Sequence, residues 1–323
     1  MAEELYPGLY RIQVPLPNSP LKSLNSYVVK GNSRNLVIDT GLNRDVCKKA
    51  LTEGLAETGV GLDTVDLFIT HLHADHFGLV NQLARENTRI YFNKPDAEII
   101  ENPKGLEPMI KYGGRNGFSE DLLREALNQH PAHKYGSNWS PSLSMINDQE
   151  HLKVGDYNFI CIQTPGHTPG HTCLYEPEKG IFIAGDHVLY DITPNIQCWS
   201  DNINPLGDYL RSLDKVRDLY VEQALPGHRN LFSDFRGRID TLKRHHAKRL
   251  EEVEEILAQS SPMNAFDVAS RMTWDLAAKS WEDFPTQQKW FATGEAIAHL
   301  RYLEMKNRVR RAENGSVILY EPA

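Results

Sequence analysis

Six consecutive positions, His71-Leu-His73-Ala-Asp75-His76, carry four side chains able to bind a cation, directly after the apolar run Val65 to Thr70. Histidines two apart on an extended segment project to the same side, and Asp75 with His76 follows where the chain can turn toward a neighbouring point. Three more candidates lie downstream: His167 in Thr164-Pro-Gly-His-Thr-Pro-Gly-His171, Asp186 after the run GIFIA, and His228 closing Leu225-Pro226-Gly227-His228. Each stands at the end of a β-prone run in a glycine-bearing turn, where the backbone bends sharply and a side chain is presented. The set divides chemically into His71, His73 and His167 for one cation and Asp75, His76 and His228 for a second. Asp186, with two oxygens, is suited to bridging them. Such nitrogen-rich sites favour zinc, with iron or manganese as alternatives.

Two cations roughly 3.5–4 Å apart can share a hydroxide, because a bound cation lowers the pKa of water from 15.7 to about 7. That hydroxide is expected to attack a carbonyl or phosphoryl centre, one cation polarising the substrate oxygen and the other stabilising the departing group. Asp75 would also orient the nucleophile. Ligand histidines must be neutral, so activity is expected to fall below about pH 6. Tyr190, four residues after Asp186, is placed either to donate to a developing oxyanion or to be an ordinary buried tyrosine. His171 is read as a residue behind the ligands or at a strand start rather than as a direct ligand, and His187 as packing or as a hydrogen-bonding neighbour of the ligands rather than as catalytic. His130, His133, His245 and His246 are read as solvated.

The surrounding elements mix strands and helices in one core, an α/β arrangement. Short β-prone runs at Tyr10–Val14, Ser26–Val29 and Leu36–Asp39 alternate with turn residues, predicting an antiparallel meander. Asn43 is a candidate cap for a helix through Val46, Ala50, Leu51 and Leu55, and Gly59 fits its left-handed end. Val65–Thr70, Thr88–Phe92, Asn158–Gln163, Thr172–Tyr175, Gly180–Ala184 and Glu222–Leu225 read as further strands, and Leu210, Leu213, Val216 and Leu219 as a helix. Residues 94–149 read as an inserted helical cap within a catalytic domain of residues 1–237. Its Met109, Tyr112, Phe118, Trp139 and Met145, together with Trp199, are candidates for an acyl-binding pocket or for plain core. Residues 238–323 read as a small helical domain: an amphipathic helix from Arg238, a start at Ser261-Pro262, a helix near Ala265–Met272, another near Pro285–Asn307, and a type I′ hairpin at Asn314-Gly315. Three helices and a hairpin describe a winged-helix module.

These residues resemble the metallo-β-lactamase superfamily from Asp39 to His228. Its five motifs appear in order: Asp39 in VIDTG, the His71-x-His73-x-Asp75-His76 run, His167, Asp186 and His228. The resemblance implies a four-layer αββα sandwich with the cations at one edge, and a structural role for Asp39 behind the site. Asp186 stands where the antibiotic-hydrolysing branch has cysteine, and His73 where flavodiiron proteins have glutamate, so both chemistries are disfavoured. The intact Asp75-His76 pair with His228 is similar to the glyoxalase II, lactonase and nuclease branches, while the single-iron persulfide dioxygenases share the histidine pattern. With the C-terminal Gly294-Glu295, Ala298-His299-Leu300 and Tyr302-Leu303, the chain resembles the lactamase-beta-2-like group, whose members include a single-strand-specific endoribonuclease and acyl-thioester-cleaving enzymes.

Composition narrows the partners. The 323 residues are 40% hydrophobic and 24% charged, enough for a sizeable core. The 35 lysines and arginines against 43 acids give a formal charge of −8 and no overall attraction to phosphate backbones or anionic membranes. The basic residues Arg301, Lys306, Arg308, Arg310 and Arg311 are interleaved with Glu304 and Glu313, and so read as a solvated face of a packing or dimerisation module. No apolar run approaches the roughly 18 residues of a membrane span, and the start MAEELYPGLYRIQV lacks the basic and apolar regions of an export signal. Four scattered cysteines read as reduced thiols of a cytoplasmic protein. The expectation is a dinuclear hydrolase of a small-molecule ester or thioester such as an acyl-CoA or acyl-carrier conjugate. The alternatives are a single-stranded RNA endonuclease and a non-catalytic DNA-binding protein.

Overall fold

A computed structural model describes residues 1–101, 106–129, 142–275 and 280–323. His130, His133 and Trp139 lie outside them. The described chain clusters into two compact units, the first made of Met1–Asn102, Pro131–Pro194 and Ser212–Ile239.

In the first unit, seven strands form one sheet in sequence order: β1 (Ala2–Tyr6), β2 (Leu9–Pro15), β3 (Ser23–Val29), β4 (Asn35–Ile38), β5 (Val65–Phe68), β6 (Ile90–Asn93) and β7 (Ser144–Ile146). β1 to β4 are the expected antiparallel meander, with β1 added, and β4 to β7 pair in parallel. A second sheet, in the order β12-β11-β10-β9-β8, comprises β8 (His151–Val154), β9 (Tyr157–Gln163), β10 (Thr172–Glu176), β11 (Ile181–Gly185) and β12 (Gln223–Pro226). Alternating residues explain the layering. Val29, Leu36, Ile38 and Phe68 on one face of the first sheet share a core with Phe159, Cys161, Leu174, Ile183 and Leu225 of the second. Val28, Val37, Leu67 and Ile69 on its other face pack with Cys47, Leu51 and Leu55 of the helix Asp45–Glu57. Strands buried on both faces lose polar alternation and read as continuous apolar runs.

That helix differs from its sequence reading at its start. Arg44, not Asn43, is the N-cap, with no side-chain capping bond, because the Asn43 side-chain oxygen accepts from Gln82. The buried stripe runs through Cys47, Leu51, Gly54 and Leu55, leaving Val46 exposed. Gly59, at φ 74°, ends it as expected, with the Val60 amide donating to the Leu55 carbonyl at 3.0 Å. β7 and β8 are only three and four residues long, too short for periodicity to reveal them.

The second unit comprises Pro103–His130, Asn195–Arg211 and Asp240–Ala323. Helices Glu107–Arg115 and Glu120–Gln129 pack here beside helix Thr286–Met305. Ile110, Phe118, Leu123, Leu127 and Trp290 form an apolar cluster, with Met109 and Trp199 packed on it. Met145, in the first unit, is exposed. The helix after Ser261-Pro262 begins only at Ala265, capped by Asn264, whose side chain accepts from the Asp267 amide at 2.8 Å. Residues 261–263 cannot start it because Met263 pairs in both directions with the backbone of Tyr320. The hairpin of β13 (Val309–Asn314) and β14 (Val317–Pro322) turns at Gly315-Ser316, one residue later than expected. Gly315 alone has positive φ there, the pattern of a type II′ rather than a type I′ turn.

His246 is buried, contrary to its reading as solvated. His299 donates from Nδ1 to the Glu295 carbonyl at 2.8 Å, so its Nε2 accepts from His246 Nδ1 at 3.2 Å. Burial holds the His299 pKa down to about 3 and that of His246 well below the ordinary range. The basic residues are taken up by acids: Arg301 by Glu304, Arg308 by Glu254, Arg310 by Glu321 and Arg311 by Asp201. Among the described residues, no helix is long and apolar enough to cross a membrane.

Gly54 tests the contact between helix and sheet. A Cβ there would lie 2.7 Å from Ile12 Cγ2. Alanine in a helix gains about 1 kcal/mol over glycine, whereas overpacking costs roughly 1–3 kcal/mol. Gly54→Ala is therefore expected to destabilise the fold by about 1 kcal/mol net and so to lower the urea midpoint, although helix propensity alone demands a rise.

Candidate metal centre

All seven predicted ligands are in the first unit, at the carboxyl ends of strands or in the turns that follow them. β5 runs through Ile69 and Thr70 into His71, and His73 is the N-cap of the short helix Ala74–Phe77, which carries Asp75 and His76. Asp186 follows β11 and His228 follows β12, whose strands are parallel neighbours. His167 lies in the turn between β9 and β10.

The structure brings these side chains together in three overlapping groups: His71, His73 and His167; His71, His76 and Asp186; and Asp75, His76 and His228. His73 Nδ1 lies 3.0 Å from His71 Nε2 and 3.0 Å from His167 Nε2. Asp186 Oδ2 sits between the sets, 3.6 Å from His167 Nε2, 3.6 Å from His76 Nε2 and 3.5 Å from His228 Nε2. Asp75 Oδ2 is 3.4 Å from His228 Nε2.

Outer hydrogen bonds aim these rings. Asp39, in a left-handed conformation at φ 59°, accepts from the Thr70 amide, the Thr70 hydroxyl and His76 Nδ1 at 2.8, 2.8 and 2.7 Å. With its proton given to Asp39, the Thr70 hydroxyl accepts from His71 Nδ1 at 3.0 Å. His228 Nδ1 donates to the Ser23 carbonyl at 2.9 Å. His71, His76 and His228 therefore all turn an Nε2 lone pair inward, and those of His76 and His228 meet at 3.3 Å. Two facing lone pairs require a proton or a cation between them. Asp186 Oδ1, buried without a hydrogen-bond partner, is a further acceptor of positive charge, so the donor set suits a borderline divalent cation.

The titration behaviour follows from the same packing. Burial, then the neighbouring imidazoles, holds His71 well below its ordinary pKa; burial and His167 bring His73 down to about 3. Burial also opposes charging of His228, but Asp186 and Asp75 outweigh it and raise the pKa to about 10. Against the same burial, Asp39, Asp186 and Asp75 raise His76.

His171 belongs to none of the three groups. Its Nε2 accepts from the Asp186 amide at 3.0 Å, and its Nδ1 donates to the Thr164 hydroxyl at 2.8 Å. It thus fixes the backbone of Asp186. His187 is buried outside the groups, its pKa brought to about 3 by burial. Tyr190 is 47% exposed, not buried, with its ring stacked on Phe232. Sequence reasoning missed Asp96, fully buried, with a pKa that burial pushes up to about 6. Nothing in the run Asn93-Lys-Pro-Asp96 marks it.

The protonation states set a sign for cation binding. His228, at about 10, holds a proton at pH 7 that a cation on Nε2 must expel. Affinity should rise with pH, and calorimetric zinc titrations at pH 7 in buffers of different ionisation enthalpy should show net proton release. Observed heats that do not vary with the buffer's ionisation enthalpy would contradict this arrangement.

A family model described as the metallo-beta-lactamase superfamily matches residues 21–228, and one described as the metallo-beta-lactamase-like C-terminal domain matches residues 250–323. The chain is 26% identical to the probable metallo-hydrolase YqjP of Bacillus subtilis, over 96% of each chain. It is 24% identical to the human acyl-coenzyme A thioesterase MBLAC2, over 70% of this chain and 79% of that one. Among solved structures, a metallo-beta-lactamase family protein of Thermus thermophilus superposes with a TM-score of 0.83 at 30% identity, covering 99% of this chain and 100% of that one. A beta-lactamase domain protein of Burkholderia ambifaria gives a TM-score of 0.85 at 25% identity, covering 100% and 94%.

Proposed function

Because the chain belongs to the metallo-β-lactamase superfamily and is a metal-dependent hydrolase, we propose that it uses two divalent cations, zinc in the first instance, to cleave a small-molecule thioester of the acyl-CoA class. The observation that carries this is the position of Asp186 Oδ2, 3.5–3.6 Å from nitrogens of both histidine sets. A carboxylate so placed is suited to be shared by two cations. His71, His73 and His167 would hold one, and Asp75, His76 and His228 the other. When bound, the cations supply a nucleophilic hydroxide at neutral pH and Lewis-acid polarisation of the substrate oxygen.

The chain's own residues do the rest. Asp39, the Thr70 hydroxyl and the Ser23 carbonyl fix which ring nitrogens face inward. His171 holds the Asp186 backbone. Asp75 has the more exposed carboxylate of the set, at 20% against 9% for Asp186, and is kept ionised by His76 and His228 against the cost of burial. It can orient the attacking water through a hydrogen bond. The thioester class is supported by the similarity to MBLAC2, and the pairing of the C-terminal arginines with acids speaks against a phosphate-tracking face.

The test is turnover by zinc-loaded protein of acyl-CoA thioesters of graded chain length, with matched oxygen esters and labelled single-stranded RNA in parallel. Thioester cleavage that falls at least about 100-fold in Asp186→Asn is the expected result; RNA cleavage with inert thioesters would overturn it. Tyr190→Phe keeps the ring on Phe232 and removes the hydroxyl. A donor to the developing oxyanion would cost about 10²–10³ in kcat, and an unchanged kcat removes Tyr190 from the mechanism.

A further inference from the structure

Asp96 joins two loops that the sequence separates. It lies in the helix Lys94–Ile100 and is 0% exposed. Oδ2 accepts from the Leu72 amide at 2.9 Å and from the Thr168 hydroxyl at 2.7 Å, and Oδ1 accepts from the Gly170 amide at 2.6 Å. Leu72 stands between His71 and His73, and Thr168 directly follows His167. One carboxylate therefore grips both loops that present the first histidine group. Gly170 is matched to it: a Cβ there would lie 2.7 Å from Asp96 Cγ and 2.8 Å from Asp96 Oδ1.

We infer that Asp96 is the positioning residue of the His71, His73 and His167 group, setting the separation of its two loops; this rests on the reading of the metal centre given above. Its role is the counterpart of that of Asp39, whose carboxylate bonds His76 directly. Asp96 accepts from Leu72, Thr168 and Gly170, one step behind the ligands. The chemistry demands a carboxylate. Two main-chain amides approach different oxygens, and neither N–H can reverse. Asparagine has a single oxygen, so its NH₂ must point at the amide of Leu72 or of Gly170 whichever way it faces. The Thr168 hydroxyl can turn to accept, so one orientation releases the Leu72 loop and the other leaves the His167 loop held by Thr168 alone, without Gly170.

The experiment is a cobalt titration of metal-stripped wild type, Asp96→Asn, Thr168→Val and Gly170→Ala, following the visible bands that report coordination geometry, with thermal midpoints measured alongside. Partners of this kind typically govern 10–100-fold in metal affinity. The expected result is a loss in that range in Asp96→Asn, with altered visible bands, confined to one step where uptake shows two. Thr168→Val and Gly170→Ala should shift the same step in the same direction by less, and they decide the matter if Asp96→Asn does not fold. Lowered thermal midpoints with every dissociation constant within twofold of wild type would make Asp96 merely structural and overturn the inference, as would equal weakening of both steps. A wild type that takes up no cobalt would instead sink the reading of the metal centre itself.

Discussion

His76 and His228 turn their inner ring nitrogens toward each other at 3.3 Å while their other ring nitrogens already donate outward. That arrangement is stable only with positive charge at its focus, and the surrounding architecture serves to hold it. Three carboxylates, Asp39, Asp75 and Asp186, stand close enough to perturb the histidine titration, so the centre carries concentrated negative charge together with concentrated lone pairs. Buried groups of this kind are costly unless satisfied. A cation satisfies both at once, which joins the folding of these loops to metal binding.

The backbone bears the cost of assembling such a cluster. Each ligand leaves the end of a strand, where the sheet supplies a rigid base and the following turn is open to be bent. The bends are then fixed from behind. Asp39 ties Thr70 and His76, Asp96 ties Leu72 to Thr168 and Gly170, and His171 ties the Asp186 amide. Most of these bonds end on main-chain N–H groups, so they position whole loops rather than single rings.

The C-terminal unit follows a different logic. Its helices bury His246, Glu295, His299 and Arg249 among apolar residues. The His246–His299 bond and the Asn195–Glu295 bond are directional contacts inside that unit. Four of its arginines, Arg301, Arg308, Arg310 and Arg311, are paired with local acids.

Much of the centre was legible because chemistry restricts the residue types. Few roles other than cation binding call for histidines and aspartates at strand ends in glycine-bearing turns, so His71, His73, Asp75, His76, His167, Asp186 and His228 could be singled out as candidates from spacing, and the meander from apolar runs, whereas the two-sheet sandwich followed only from the family resemblance. Asp96 could not, since an aspartate early in a short helix looks the same whether it meets water or three buried donors. His246 failed for the same reason: a histidine on an amphipathic helix carries no mark of the partner awaiting it 53 positions later. The helix start shifted to Asp45 because a distant partner, Gln82, takes the Asn43 side chain, and the turn moved to Gly315-Ser316 because the hairpin register pairs Asn314 with Val317. The sequence by itself determined the donor atoms, the alternation of strands and helices and the class of chemistry, because side-chain type and periodicity are local properties. Only the tertiary structure decided which nitrogens face inward, which carboxylate lies between the two sets and which buried groups hold the loops, because those depend on hydrogen bonds between residues that only folding brings together.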